Sequence, residues 1–151
     1  MSDEKILYVD ASNQVLGRMA SIVAKKLLEG YKVIIVNSEK AVLSGERNRV
    51  IEGYKNILKA KTHRNPEKSG IKRPRSPVTI MKRAVKRMLP YTQPKGREAL
   101  KRLRIFVGTP ESLKGKEFVR FKEADASRLK RGFVYVGEVA TALGWKGGLN
   151  E

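Results

Sequence analysis

The stretch ILYVDASNQVLGRMASIVAKKLLEGYKVIIV, residues 6–36, decides the fold. It begins and ends with uninterrupted apolar runs, ILYV at 6–9 and VIIV at 33–36, which are typical of strands buried on both faces. Between them apolar residues recur at helical spacing, ahead of a glycine at position 30 that can end a helix. These are Leu16, Met19, Ala20, Val23, Leu27 and Leu28. Two buried strands joined by a helix predict a parallel, right-handed βαβ unit.

In nucleotide-binding βαβ units, the turn after the first strand holds the residues that bind the nucleotide. Asp10 ends that strand, a place where open α/β sheets often hold ligand-binding groups. We favour a simpler role, in which Asp10 caps the turn that follows it. A dinucleotide-binding protein would carry a glycine-rich motif here, but Gly17 is the only glycine in DASNQVLGR. A nucleotide-dependent enzyme is therefore disfavoured.

Outside this unit the chain continues as alternating helices, loops and strands. We predict, in order, a loop at 37–45, a helix at about 46–61, a basic loop, a helix at 78–89, a loop at 91–96, a short helix at 97–104 and strands at 105–107 and 133–136. Ser76-Pro77 is a strong helix start, Pro90 a stop, and a last short helix ends near Gly144. Residues 1–151 are expected to form one α/β domain with a small, mostly parallel sheet and helices on its faces.

Composition excludes several classes of protein. The 151 residues are 40% hydrophobic, enough for a core, and include no cysteine, which removes disulfides and cysteine-ligated zinc. His63, the only histidine, has no ligand or acid–base partner near it in sequence, so we expect no catalytic or metal site there. No apolar run approaches the roughly 20 residues that span a bilayer, and MSDEKILYVD lacks the layout of a signal peptide. We expect a soluble intracellular protein with no cofactor.

Charge is the strongest functional signal. Lys and Arg total 33 against 15 Asp and Glu, and residues 61–104 alone hold 15 basic and 2 acidic side chains. Such a block favours a polyanionic partner. Nucleic acid is preferred to a membrane surface, because the only tryptophan, Trp145, lies far from the basic block.

The basic block consists of a loop, a basic helix, a second loop and another basic helix. It contains no zinc-finger spacing, basic zipper or aromatic ribonucleoprotein motif, and it suits backbone contacts to a folded RNA. Its loop, HRNPEKSGIKRPRSP at 63–77, cannot pack a core and is expected to order on RNA. The candidate contacts are His63, Arg64, Lys68, Lys72, Arg73, Arg75, Lys82, Arg83, Lys86, Arg87, Tyr91, Lys95, Arg97, Lys101, Arg102 and Arg104. The arginines of the last short helix and Lys101 are predicted to point largely outward.

Three motifs in register carry a family resemblance: DASNQVLGR at 10–18, VNSEKAVLSG at 36–45, and MLP at 88–90 followed by KGREAL at 95–100. Over nearly its whole length the chain resembles the ribosomal protein L13 (uL13) family in its archaeal form. The resemblance implies a three-layer α/β/α domain and a non-catalytic role in the cytoplasm. That role is to bind 23S rRNA beside neighbouring proteins of the large ribosomal subunit, supporting assembly and translation, with no membrane or small-molecule substrate.

Matched by position, the family's rRNA contacts fall on Arg18, the basic loop at 64–75, and the MLP region with Lys95 and Arg97. The chain departs from many relatives at Arg87, where they have Gly, and at Tyr91, where they have His. The alternative function is a free nucleic-acid-binding regulator that uses the same basic block.

Overall fold

The computed structural model describes residues 5–59 and 74–147. Within these ranges the chain forms β1 (Ile6–Asp10), α1 (Leu16–Leu28), β2 (Lys32–Val36), β3 (Val42–Ser44), α2 (Arg47–Lys59), α3 (Pro77–Arg87), α4 (Pro94–Lys101), β4 (Leu103–Ile105), β5 (Phe133–Tyr135) and α5 (Val136–Ala142). The predicted basic loop, with His63, Arg64, Lys68, Lys72 and Arg73, lies outside the described residues.

The predicted βαβ unit is confirmed. β1 and β2 pair in parallel from Ile6 opposite Lys32 to Asp10 opposite Val36, and α1 connects them. Val9, Val33 and Ile35 are fully buried on one face of this sheet, whereas Tyr8 and Ile34 on the other face are half-buried. β4 adds a third parallel strand beside β2, giving the order β1-β2-β4. The domain has the predicted three-layer α/β/α architecture around a small, mostly parallel sheet.

The helices that form the basic surface are anchored on α1. Met19, Val23 and Leu27 of α1 are fully buried, as their spacing predicts, and α1 contacts both α3 and α4. α3 contributes Met81 and Val85, which are also fully buried. Burial of one face in the common core leaves the opposite, charged faces of α3 and α4 in solvent.

The predicted start of α3 is confirmed in detail. The Ser76 hydroxyl accepts the backbone N–H of Thr79 at 3.2 Å, and the Thr79 hydroxyl accepts the N–H of Ser76 at 3.0 Å. This reciprocal pair is a capping box that satisfies two backbone donors left over at a helix start. Pro77 at the first helical position loses no hydrogen bond there.

Three predicted assignments of secondary structure are wrong. The loop at 91–96 and the helix at 97–104 are replaced by α4, which begins at Pro94, and the strand predicted at 105–107 is instead β4 at Leu103–Ile105. Pro94 begins a helix here rather than a turn. The loop predicted at 37–45 contains β3, which pairs antiparallel with β5 through Val42 opposite Tyr135 and Ser44 opposite Phe133.

Candidate nucleic-acid interface

The connection between α3 and α4 is held tightly by backbone packing. Tyr91 donates its N–H to the carbonyl of Leu89 at 2.8 Å, and Gln93 donates to that of Pro90 at 3.0 Å. Gly96, in the first turn of α4, lies directly against this turn. A Cβ at position 96 would overlap the Pro90 carbonyl and stand 2.8 Å from the Tyr91 nitrogen. Only glycine lets the two helices approach this closely at this point.

An open groove of about 570 Å³ runs between α3 and α4. Its lining is five cations, one aromatic ring and one aliphatic side chain: Lys82, Lys86, Tyr91, Arg97, Leu100, Lys101 and Arg104. Lys82 and Lys86 are four residues apart on α3, as Arg97 and Lys101 are on α4, so each pair forms a stripe along its helix. We call this surface the basic groove.

Acidic residues do not neutralise the basic groove within the described part of the chain. Between residues 74 and 104 the only acidic side chain is Glu98. The ion pairs among the described residues join Lys26 to Glu29, Arg47 to Glu138 and Arg49 to Glu46, all outside α3 and α4. The groove therefore holds unneutralised positive charge in a concave surface, which concentrates the field that an approaching polyanion meets.

Tyr91 gives the groove an aromatic wall. The Lys86 ammonium lies 5.0 Å from the centre of the Tyr91 ring, which is a cation–π contact. Tyr91 is 46% exposed, so part of its surface remains accessible to a ligand. Leu100 is half-buried and supplies an apolar part of the lining. Its amphipathic position on α4 gave no signal that it also borders the groove.

The remaining predicted contacts fall around the groove or away from it. Arg75, Arg87 and Lys95 are exposed at the ends of α3 and α4. Arg83 is half-buried near Tyr54, where burial raises the pKa of the tyrosine and the Arg83 charge partly opposes that shift. Arg18, on α1, lines a separate depression with Lys25, Lys26 and Phe121.

Arg102 does not point outward as predicted. It is half-buried, and its guanidinium donates to the carbonyl of Leu27 at 2.6 Å, near the end of α1. The Arg102 Nε is buried and has no hydrogen-bond partner among the described residues. Arg104 is exposed, although its Nη1 donates to the carbonyls of Lys101 and Leu103, each at 3.1 Å. Arg102 therefore ties α4 to α1, whereas Arg104 follows α4 and borders the groove.

The carboxyl edge of the sheet is closed by its own turns. Asp10 accepts the N–H of Ser12 at 3.0 Å and the Asn37 side-chain amide at 3.1 Å, which confirms its predicted role in the turn. Burial pushes the pKa of Asp10 up, but these hydrogen bonds and the Arg120 charge outweigh it, so the pKa lies below its usual value. The Glu39 carboxylate accepts the N–H of Gly108 at 2.9 Å. These hydrogen bonds hold the loops at this edge of the sheet together.

Among residues 5–59 and 74–147, no group of three or more His, Cys, Asp or Glu side chains is arranged to hold a metal ion. In the same described ranges, none of the helices has the length and apolar character needed to cross a membrane.

Comparison with known proteins identifies the family. A family model for ribosomal protein L13 matches residues 4–112, well over half of the chain. The chain belongs to the ribosomal protein L13 family. The resemblance seen in the three sequence motifs is therefore confirmed. L13 proteins are structural ribosomal proteins and not enzymes, so the non-catalytic role expected of this chain is confirmed by its family.

The relatives match along almost their entire length. Large ribosomal subunit protein uL13 of Saccharolobus solfataricus is 52% identical, over 95% of this chain and 96% of the relative. Its counterpart in Aeropyrum pernix is 51% identical over 96% of this chain and 94% of the relative, and that of Sulfolobus acidocaldarius is 47% identical over 95% and 96%. These L13 relatives are archaeal, as the resemblance implied, and they extend past residue 112 into the tail of this chain.

Proposed function

We propose that this chain is a structural constituent of the large ribosomal subunit in the cytoplasm and that it binds 23S rRNA through the basic groove. The observation that carries the proposal is the convergence of five cations on one concave surface that the described residues leave without acidic partners. Because the relatives are named as proteins of the large ribosomal subunit, ribosomal RNA is the polyanion that we propose for this surface. Neighbouring ribosomal proteins are expected to border it.

The chemistry of the groove suits an RNA backbone. The arginines Arg97 and Arg104 can each present two parallel N–H donors to a phosphate, whereas Lys82, Lys86 and Lys101 act as mobile point charges. Each neutralised phosphate releases condensed counterions, which drives binding and makes it sensitive to salt. The exposed face of Tyr91 can stack on a base or sugar that enters the groove.

Residues outside the groove extend the proposed contact. Arg75, Arg87 and Lys95 are exposed near the ends of α3 and α4, and Arg83 lies half-buried on α3 near Tyr54. Arg18 adds a separate point of contact on α1. The loop residues His63, Arg64, Lys68, Lys72 and Arg73 are proposed to follow the RNA backbone. By neutralising phosphates that would otherwise repel one another, the chain would support subunit assembly.

A charge-matched pair of double variants tests the groove. Lys82→Ala/Lys101→Ala removes two groove cations, and Lys55→Ala/Lys59→Ala removes two exposed cations from α2 and leaves the same net charge. We expect the groove variant to bind 23S rRNA about tenfold more weakly, with the slope of log K against log salt lowered by roughly 0.7 to 0.9 for each lost phosphate contact. The α2 variant should change both quantities much less.

Equal weakening by the two variants would contradict the proposal, because binding would then depend on net charge and not on the groove. The same titration with duplex DNA addresses the alternative. A free nucleic-acid-binding regulator predicts affinity for duplex DNA comparable to that for 23S rRNA, whereas the ribosomal role predicts a strong preference for the rRNA.

A further inference from the structure

A second surface, on β5, presents two aromatic side chains to solvent. Phe133 and Tyr135 are two residues apart on a strand, so their side chains lie on the same face of the β3–β5 sheet. They are 42% and 37% exposed, whereas Val134 between them is 2% exposed and packs in the core. Large aromatic side chains exposed together on one strand suit a ligand that stacks.

The two rings are held in place before any ligand arrives. Their centres are 5.8 Å apart and their planes meet at 88°, an edge-to-face contact. The Tyr135 hydroxyl donates to the side-chain oxygen of Asn13 at 3.1 Å. A ring fixed by its neighbour and by its hydroxyl loses little conformational entropy when a ligand stacks on it.

The surroundings of the rings are cationic. Arg128, Lys130 and Arg131 precede them and are exposed, and the segment 126–137 contains no acidic residue. The nearest acids in sequence are already engaged, since Asp125 accepts the N–H of Ser127 at 3.1 Å and Glu138 pairs with Arg47 at 3.9 Å. An acidic or neutral protein surface is less well matched to this face than a phosphate-bearing ligand.

A depression of about 560 Å³ adjoins the aromatic pair. It is lined by Ser44, Gly45, Glu46, Arg49, Val50, Arg131 and Gly132. Ser44 lies directly opposite Phe133 in the β3–β5 register, so the depression and the rings share one end of the sheet. Arg49 and Arg131 bring two guanidinium groups to this depression, and the Glu46 carboxylate lies 3.9 Å from the Arg49 Nε.

We propose that Phe133, Tyr135, Arg49 and Arg131 form a second RNA site, the aromatic platform, distinct from the basic groove. The rings take one unstacked base of a single-stranded RNA segment, and the two arginines take the adjoining phosphate. Every base has a π-face, and stacking on aromatic side chains beside cations is a general mode of single-strand binding. The platform's rings and Arg131 lie beyond residue 112, where the match to the family model ends. It goes beyond the groove-based function proposed above.

The test uses a single-stranded RNA of about ten nucleotides carrying one 2-aminopurine, whose fluorescence is quenched when the base stacks. Phe133→Leu should weaken binding about tenfold and abolish the fall in 2-aminopurine fluorescence that accompanies binding. The salt slope should stay unchanged, because no charge is removed. Arg131→Ala should weaken binding and lower the slope by about 0.7. Tyr135→Phe keeps the ring and should retain the quenching. An unchanged thermal midpoint for each variant establishes that the fold is intact.

The same titrations on the Lys82→Ala/Lys101→Ala background remove binding of the probe at the groove. If adding Phe133→Leu to that double variant changes neither the affinity for the probe nor its quenching, the aromatic platform is overturned. This face would then be left to a neighbouring protein. That result would not contradict the proposed role of the basic groove, which is tested separately by whether the lysine double variant loses 23S rRNA binding. The two proposals therefore fail separately.

Discussion

At the scale of single residues, Gly96 sets how closely α4 approaches the turn after α3. Its role is steric and not torsional, because the atoms that a Cβ would meet belong to the backbone of Pro90 and Tyr91. Backbone atoms cannot rotate away as a flexible side chain can. The geometry of the basic groove therefore depends on the absence of a single methyl group.

We predict that Gly96→Ala destabilises the protein by about 1 to 3 kcal/mol, the range for overpacking a tight contact. Gly53→Ala is the matched control, since Gly53 lies in α2 and an added Cβ there would meet no atom within 4 Å among the described residues. That change should stabilise the protein by about 0.5 to 1 kcal/mol, because alanine favours a helix interior. Denaturant unfolding measures both. A Gly96→Ala protein as stable as the native chain would show that the turn yields easily.

Arg102 and Arg97 differ in burial and in position, so we expect Arg102 to act on stability and Arg97 on RNA binding. Arg102 is half-buried and bonded to the Leu27 carbonyl, whereas Arg97 is exposed and lines the groove. We predict that Arg102→Ala lowers the free energy of unfolding by about 1 to 3 kcal/mol, through the lost bond and lost packing. Arg97→Ala should change stability by less than about 0.5 kcal/mol and weaken RNA binding.

Unfolding curves and rRNA titrations on the two purified variants make this comparison. An Arg102→Ala variant that unfolds like the native protein but loses RNA affinity, with a lowered salt slope, would contradict the structural role of Arg102. Arg102 would then act as a phosphate contact, as its position in the basic block predicts.

At the scale of secondary-structure elements, α3 is the helix most completely specified by local sequence. Its capping box, its proline at the first helical position and its buried Ile80, Met81 and Val85 all indicate the same start and the same inner face. Because α3 carries one wall of the basic groove, the stability of its first turn contributes to the geometry of that groove.

Ser76→Ala should cost about 1 kcal/mol of unfolding free energy, since the Thr79 N–H loses its partner. Ser76→Asp retains an oxygen acceptor at the same position and should keep most of that stability. Ser21→Ala, on an exposed part of α1, is expected to stay within about 0.5 kcal/mol of the native value. Thermal and denaturant unfolding of the three variants tests the order. An alanine variant equal to the native chain would mean that packing alone holds the start of α3.

The elements that sequence predicts well are those whose signals are local. The βαβ unit follows from two apolar runs and one helical period, and α3 follows from its own cap. The sequence predicts a loop where β3 forms, because the strand that pairs with β3, β5, lies about ninety residues further along the chain. Sequence places α4 too late because Pro94 and Gly96 resemble turn residues, and only the tertiary approach of Pro90 explains a glycine inside a helix.

The candidate site also has one part that local sequence predicts and another that depends on tertiary packing. The concentration of charge in residues 61–104 is visible from composition, so a polyanion-binding face could be predicted. Which cations converge could not, because that depends on how α3 and α4 pack on α1. Lys82 and Lys101 meet in the groove, Arg18 lies in another depression, and Arg102 turns inward to Leu27. The exposed pair on β5 depends on pairing with β3, and its sequence matches no ribonucleoprotein motif.

At the scale of the whole molecule, the formal charge of +18 opposes compactness and favours a polyanionic partner. The fold accommodates that charge by burying an apolar core of ordinary composition and leaving the basic faces of α3 and α4 in solvent. The basic groove and the aromatic platform lie on different elements, joined through the same core. Such an arrangement suits a protein that touches several parts of one large RNA.

The most direct test of this account is sedimentation of the chain from a native lysate on sucrose gradients at low and at moderately raised salt. We predict that it sediments with the large ribosomal subunit and remains there after the salt wash, because contacts that match a folded RNA outlast simple counterion release. A chain that runs free of ribosomes, or leaves the subunit at slightly raised salt, would contradict the ribosomal role and favour a free nucleic-acid-binding regulator.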